Sequence, residues 1–110
     1  MELAEEIYRL SNLFPKNEMY GITLQMRRAV VSVPSNIAEG YGRKSQKEFT
    51  RYLGISYGSL LELETQLILA KRLKFVENNA FNKAEELVEE VSKMLNSMIL
   101  KFKMNLNAKR

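Results

Sequence analysis

The chain has 110 residues, 17 Lys plus Arg against 13 Asp plus Glu, a net charge of +4, and neither cysteine nor histidine. That length suits one domain, residues 1–110, burying roughly two-thirds of its unfolded surface. The missing residue types exclude disulfides, cysteine nucleophiles, Ser-His triads and the usual zinc and di-iron sites.

Four helical patterns follow in chain order. Leu3, Ile7, Leu10 and Phe14 share one helical face, and Pro15 and Asn17 end it, so the first helix is expected over about 2–14. Ile22, Met26, Val30, Val33 and Ile37 predict a second over about 18–41. Pro34 falls inside it and either kinks it or starts a new helix; the apolar phase continues to Tyr41, which favours a kink. Asn36 and Glu39 are polar in this apolar stretch, placed either to bond backbone groups freed by Pro34 or to line an oligomer surface. Gly40 and Gly42 read as the helix stop.

Ser45-Gln46-Lys47-Glu48 reads as a capping box opening a third helix over about 45–74, along the face Phe49, Tyr52, Ser56, Leu60, Leu63, Leu67 and Ala70. Gly54 and Gly58 lie four apart on another face; each costs about 1 kcal/mol in a helix interior, which marks either a close helix approach or a tolerated accident. The fourth helix is expected over about 79–106, with Asn78-Asn79 as caps and Phe81, Ala84, Val88, Val91, Leu95, Met98 and Phe102 as a strict heptad. Two helices of about 28 residues, roughly 42 Å each, joined by a short connector imply an antiparallel hairpin. The expected fold is all-α, an antiparallel up-down-up-down four-helix bundle.

The charge is uneven. Residues 27–51 carry +4 through Arg27, Arg28, Arg43, Lys44, Lys47 and Arg51, and residues 101–110 carry another +4 through Lys101, Lys103, Lys109 and Arg110. Residues 1–26 and residues 52–100 each carry −2. Arg43, Lys44, Lys47 and Arg51 gather around the start of the third helix, whose amide dipoles add positive potential, with Tyr41 and Tyr52 near as stacking platforms. This block fits a phosphate-backbone footprint on RNA or other nucleic acid, and equally a solvated loop and helix face. The C-terminal block fits a solvated helix end or a flexible arm on nucleic acid. Glu85, Glu86, Glu89 and Glu90 place like charges four apart, which a basic partner would relieve. A head-to-tail homo-oligomer interface with a neighbour's basic block is one reading and a solvated acidic face the other.

No catalytic site emerges. Glu62 and Glu64 face apart, no P-loop context surrounds Gly40-Tyr41-Gly42, and the six methionines read as core filler. No cofactor or metal is expected. No apolar run spans a membrane, and the acidic start, Met1 to Glu6, lacks signal-peptide character, so the expected compartment is the cytoplasm.

Phe14-Pro15-Lys16, Tyr20-Gly21 and the run Gln25 to Arg43, with Ser32-Val33-Pro34-Ser35-Asn36-Ile37-Ala38-Glu39-Gly40-Tyr41-Gly42-Arg43 at its heart, resemble the four helix bundle protein family, also called the 23S rRNA-intervening-sequence protein family. Ser45, Glu48, Phe49 and Gly58 to Leu67 extend the resemblance across nearly the whole chain. It implies a non-enzymatic antiparallel bundle, often a ring-like pentamer, encoded in intervening sequences of bacterial rRNA genes or elsewhere. It also implies kinship with bundle proteins that assist reverse transcriptases, so a reverse transcriptase is a candidate partner beside RNA or DNA. Family members carry more of the first helix upstream, which implies a first helix that covers less of the bundle here. A protein adaptor with no direct nucleic-acid role is the alternative reading of the whole chain.

Overall fold

The computed structural model describes residues 1–108. It is all-α, with α1 at Glu2–Ser11, α2 at Leu24–Gly42, α3 at Gln46–Arg72 and α4 at Asn82–Ala108, and no strand among the described residues. Each helix packs on two others: α1 on α2 and α4, and α3 on α2 and α4. The expected bundle therefore forms. Cross-helix pairs show that α3 runs opposite to both its neighbours. Ser32 meets Ser59 and the Val33 carbonyl meets Ser56, while Phe49 meets Phe102 and Lys71 meets Glu85.

The core follows the apolar periodicity. Leu3, Ile7, Leu10 and Phe14 of the first segment, Met26, Ala29, Val30 and Val33 of α2, and Leu60, Leu63, Leu67 and Ala70 of α3 are buried together with Phe81, Ala84, Val88 and Leu95. Leu53 and Leu87 are buried as well, outside the expected stripes. Ser56, fully buried on α3, donates to the Val33 carbonyl at 2.8 Å, so a polar side chain occupies a core position without an unsatisfied hydroxyl.

Several boundaries differ from expectation, each for a visible reason. α1 stops at Ser11, and Leu13 and Phe14 donate to Leu10 and Ser11 carbonyls, turning the chain so that Phe14 still reaches the core against Phe75 and Phe81. Ahead of α2 lie a 3₁₀ turn at Lys16–Glu18 and a π turn at Met19–Thr23, with Gly21 departing from helical geometry at φ −105°, ψ −116°. α2 itself runs through Pro34 without a break, so no new helix starts there. Asn36 donates to the Ser32 carbonyl and hydroxyl, both at 2.8 Å, rather than to the Val30 carbonyl that Pro34 leaves without its helical donor.

Gly40 and Gly42 are not the helix stop. α2 includes both, and no glycine has positive φ. The left-handed residue is Lys44, at φ 54°, whose amide bonds the Tyr41 carbonyl. Lys74, at φ 58°, does the same for α3 in a Schellman closure, with Lys74 bonding the Lys71 carbonyl and Phe75 the Ala70 carbonyl. Gly40 is present for closeness: a Cβ there would lie 2.5 Å from the Tyr52 Cβ. Gly54 and Gly58 face open space, with nothing within 4 Å of an added Cβ. Close approach within the chain is therefore made by Gly40 and not by the α3 glycines.

The molecule measures 52 × 22 × 19 Å with a radius of gyration of 15.5 Å, against about 13 Å for a compact chain of this length. Its exposed surface is 7147 Å², above the roughly 6,300 Å² that its mass alone implies.

These glycines should respond oppositely to the same change. Gly40→Ala is expected to cost about 2 kcal/mol through overpacking against Tyr52. Gly58→Ala is expected to gain about 0.5–1 kcal/mol from helix propensity. Urea unfolding followed by circular dichroism reads both, and a Gly40→Ala midpoint equal to wild type would contradict the tight contact.

Candidate nucleic-acid interface

The α2–α3 corner is built by a short reversal. α2 ends at Gly42, Arg43 and Lys44 turn the chain, and Ser45 caps α3 by accepting from the Glu48 amide at 3.3 Å. Half of the expected capping box is thus present; the Glu48 carboxylate turns the other way and takes Arg51 Nε at 3.0 Å. α3 then points 27 residues of aligned peptide dipoles away from the corner, leaving partial positive charge at its start.

Four of the expected cations meet here, in two states. Arg43 Nη2 donates to Glu39 Oε1 at 2.9 Å and to the Tyr52 hydroxyl at 3.0 Å. The guanidinium carbons of Arg43 and Arg51 lie 5.4 and 4.6 Å from the Tyr52 ring centre, within cation–π range. The hydrogen bond to Glu39 raises the Arg43 pKa, and the neighbouring Tyr52 and Glu39 charges add to it. The Arg51 hydrogen bond lowers the Glu48 carboxyl, which in turn raises Arg51. Lys44 and Lys47 are exposed and have no carboxylate within salt-bridge distance among the described residues. Tyr52 has its ring engaged by arginines, whereas Tyr41 is 77% exposed and touches Phe49 edge-on at 6.1 Å. Of the two expected stacking platforms, Tyr41 is the open one.

The other two arginines are placed elsewhere. Arg27 is a clamp inside the fold: Nε donates to Ser11 Oγ at 3.0 Å, Nη2 to Asn12 Oδ1 at 2.9 Å, and the guanidinium sits 4.8 Å from the Tyr8 ring centre. Arg28 is exposed, fifteen residues before Arg43, or about 22 Å along a helix. Neither adjoins the corner. In α1 a second clamp forms, with Arg9 donating to both carboxylate oxygens of buried Glu6 at 2.8 and 2.6 Å. Those bonds lower the Glu6 pKa against the opposing effect of burial.

The acidic face is partly neutralised within the chain. Glu85 takes Lys71 at 3.1 Å and Glu89 takes Lys93 at 3.2 Å, while Glu86 and Glu90 are exposed with no ion pair among the described residues. Lys101 and Lys103 lie on α4, which continues to Ala108, so this part of the C-terminal block is helical and not an arm. Lys109 and Arg110 lie outside the described residues. Among the described residues no group of three or more carboxylates lies close enough to hold a metal ion, and no helix is long and apolar enough to cross a membrane.

An all-α bundle with a cationic interhelical corner is the class that fold and site define together. The family model for the 23S rRNA-intervening sequence protein matches residues 1–97. The chain belongs to that family. Among solved structures it is similar to a protein of unknown function from the S23 ribosomal protein family of Bacteroides thetaiotaomicron, at 26% identity and a TM-score of 0.79, over 89% of this chain and 92% of that one. No curated protein matches.

Arg27→Lys keeps the charge but not the fork that spans Ser11 and Asn12, so it is expected to lower stability by about 1–2 kcal/mol. Urea unfolding followed by circular dichroism reads the loss, and a midpoint equal to wild type would contradict the clamp.

Proposed function

We propose that this protein is a non-enzymatic, homo-oligomeric bundle that binds RNA, or other nucleic acid, through the α2–α3 corner. The observation that carries this reading is the pair of lysines, Lys44 and Lys47, without ion-pair partners among the described residues, at the start of a 27-residue helix and beside the exposed Tyr41. Free ammonium groups release counterions when they meet phosphate, and an exposed aromatic ring offers a base a stacking face. Arg43 and Arg51 frame the lysines, held in place by Glu39, Glu48 and Tyr52. A chain with no histidine and no cysteine lacks the commonest catalytic groups, which supports a binding role over an enzymatic one.

Fluorescence anisotropy with a labelled single-stranded RNA, titrated from 50 to 300 mM salt, tests it. Four contacts predict a slope of log K on log salt near −3, and Lys44→Glu with Lys47→Glu should reduce it by about half. Absence of binding at the lowest salt, to single-stranded and structured RNA alike, would leave the adaptor reading in its place.

Self-assembly rests on a second observation. The outer face of α3 carries exposed Leu61, Ile68 and Leu69 beyond the open Gly54 and Gly58, and α4 offers exposed Leu100 and Met104 together with Glu86 and Glu90, which have no ion pair among the described residues. A subunit contact covers such apolar surface and gives the two glutamates cationic partners. Glu86→Lys with Glu90→Lys should lower the mass measured by light scattering to that of the monomer; an unchanged mass removes these glutamates from the interface.

A further inference from the structure

The connection from α1 to α2 folds around a hollow that the cationic corner does not use. After α1 ends at Ser11, the chain passes Pro15, the 3₁₀ turn at Lys16–Glu18 and the π turn at Met19–Thr23. That path leaves a hollow of about 340 Å³ whose polar lining is Ser11, Asn12, Lys16 and Thr23. Phe14, Pro15 and Met19 supply the apolar remainder. The hollow lies at the opposite end of α2 from the corner, 19 residues away, or about 28 Å along the helix. One group in it has no role in the fold. Thr23 is 1% exposed, and its hydroxyl has no hydrogen-bond partner among the described residues. The equally buried Ser56 hydroxyl, by contrast, is bonded to the Val33 carbonyl. A buried hydroxyl is costly to leave unbonded, and the space open to Thr23 is the hollow that it lines.

The other polar groups of the lining are left with donors to offer. Asn12 gives its Oδ1 to Arg27 Nη2 at 2.9 Å, which leaves its amide nitrogen to donate elsewhere. Ser11 Oγ accepts from Arg27 Nε at 3.0 Å and donates to the Tyr8 carbonyl at 3.3 Å, so it is already engaged. Lys16 adds an exposed ammonium with no ion pair among the described residues. No carboxylate lines the hollow, and the Arg27 guanidinium stands behind Ser11 and Asn12. Bare carbonyls at the end of α1 would repel an anion, but those of Tyr8, Leu10 and Ser11 are taken by the Asn12, Leu13 and Phe14 amides. Donors that lack acceptors, beside apolar surface, call for an oxyanion with an apolar body. The volume is at the small end of small-molecule sites and far above the roughly 30 Å³ of one water. We infer that this hollow binds a small organic anion, a carboxylate or phosphate monoester. Its oxygens take the Thr23 hydroxyl, the Asn12 amide and the Lys16 ammonium, and its body lies on Phe14, Pro15 and Met19. This inference stands whether or not the corner binds RNA.

The probes are phenyl phosphate and benzoate, titrated into the nitrogen-15-labelled full chain and followed by two-dimensional NMR. At least one should give saturable shifts of the Asn12 side-chain amide and the Thr23 backbone amide, and the tighter binder names the headgroup. Inorganic phosphate, without an apolar body, should bind about tenfold more weakly than phenyl phosphate. Benzamidine, the cationic counterpart, should leave both signals in place. Thr23→Val keeps the shape and removes the hydroxyl, and should weaken binding about fivefold; Thr23→Ser should bind within about twofold of wild type. Lys16→Glu, at an exposed position, should weaken binding about tenfold or more, and circular dichroism confirms that each variant folds. No saturable shift from either anion at millimolar concentration overturns the inference. So does equal binding of inorganic phosphate and phenyl phosphate, or wild-type affinity in both Thr23→Val and Lys16→Glu.

Discussion

The α2–α3 contact at Gly40 is the constraint from which the rest of the arrangement follows. Where a side chain would stand, the Tyr52 Cβ is 2.5 Å from the position of an added Cβ, so the two helices meet there nearly backbone to side chain. Further along the seam Ser56 is held to the Val33 carbonyl and Ser59 to Ser32. A buried hydroxyl on a main-chain carbonyl has one good geometry, and leaving it unmade would cost a desolvated polar pair. Together these contacts set the register of α2 on α3 more sharply than apolar packing alone. That register brings Tyr52 under Arg43, while Glu39 and Glu48 hold Arg43 and Arg51 through local contacts four and three residues apart.

The same contact explains why the corner presents lysines. Ending α2 only two residues after Gly40 leaves the chain a very short path into α3, and a left-handed residue is needed to make the reversal. Lys44 occupies it at φ 54°, a conformation that glycine would adopt at less cost. The Ser45 cap then opens α3 at once, so Lys47 stands in the first turn, where a cation is electrostatically unfavourable. A turn built only for stability would place glycine and an acid at these two positions. Their occupation by lysines with no ion-pair partner among the described residues is what makes the corner a candidate for an anionic ligand and not simply a loop.

Much of this was legible in the sequence, and the failures share a cause. The α4 heptad is visible because seven apolar residues repeat over three turns of the pattern, and the corner cations are visible because they are neighbours in the chain. Ser45 announced the start of α3 for the same local reason. Arg27 was misread as a surface cation because Ser11 and Asn12 lie 16 and 15 residues away, and no periodicity links them. Gly40 was misread as a stop signal because its reason for being small is Tyr52, a residue of another helix. Pro34 drew attention as the irregular point of the second segment, yet the departure from helical backbone falls at Gly21, a residue with far fewer steric restrictions. Local chemistry could be read directly; what depended on a contact across the bundle could not.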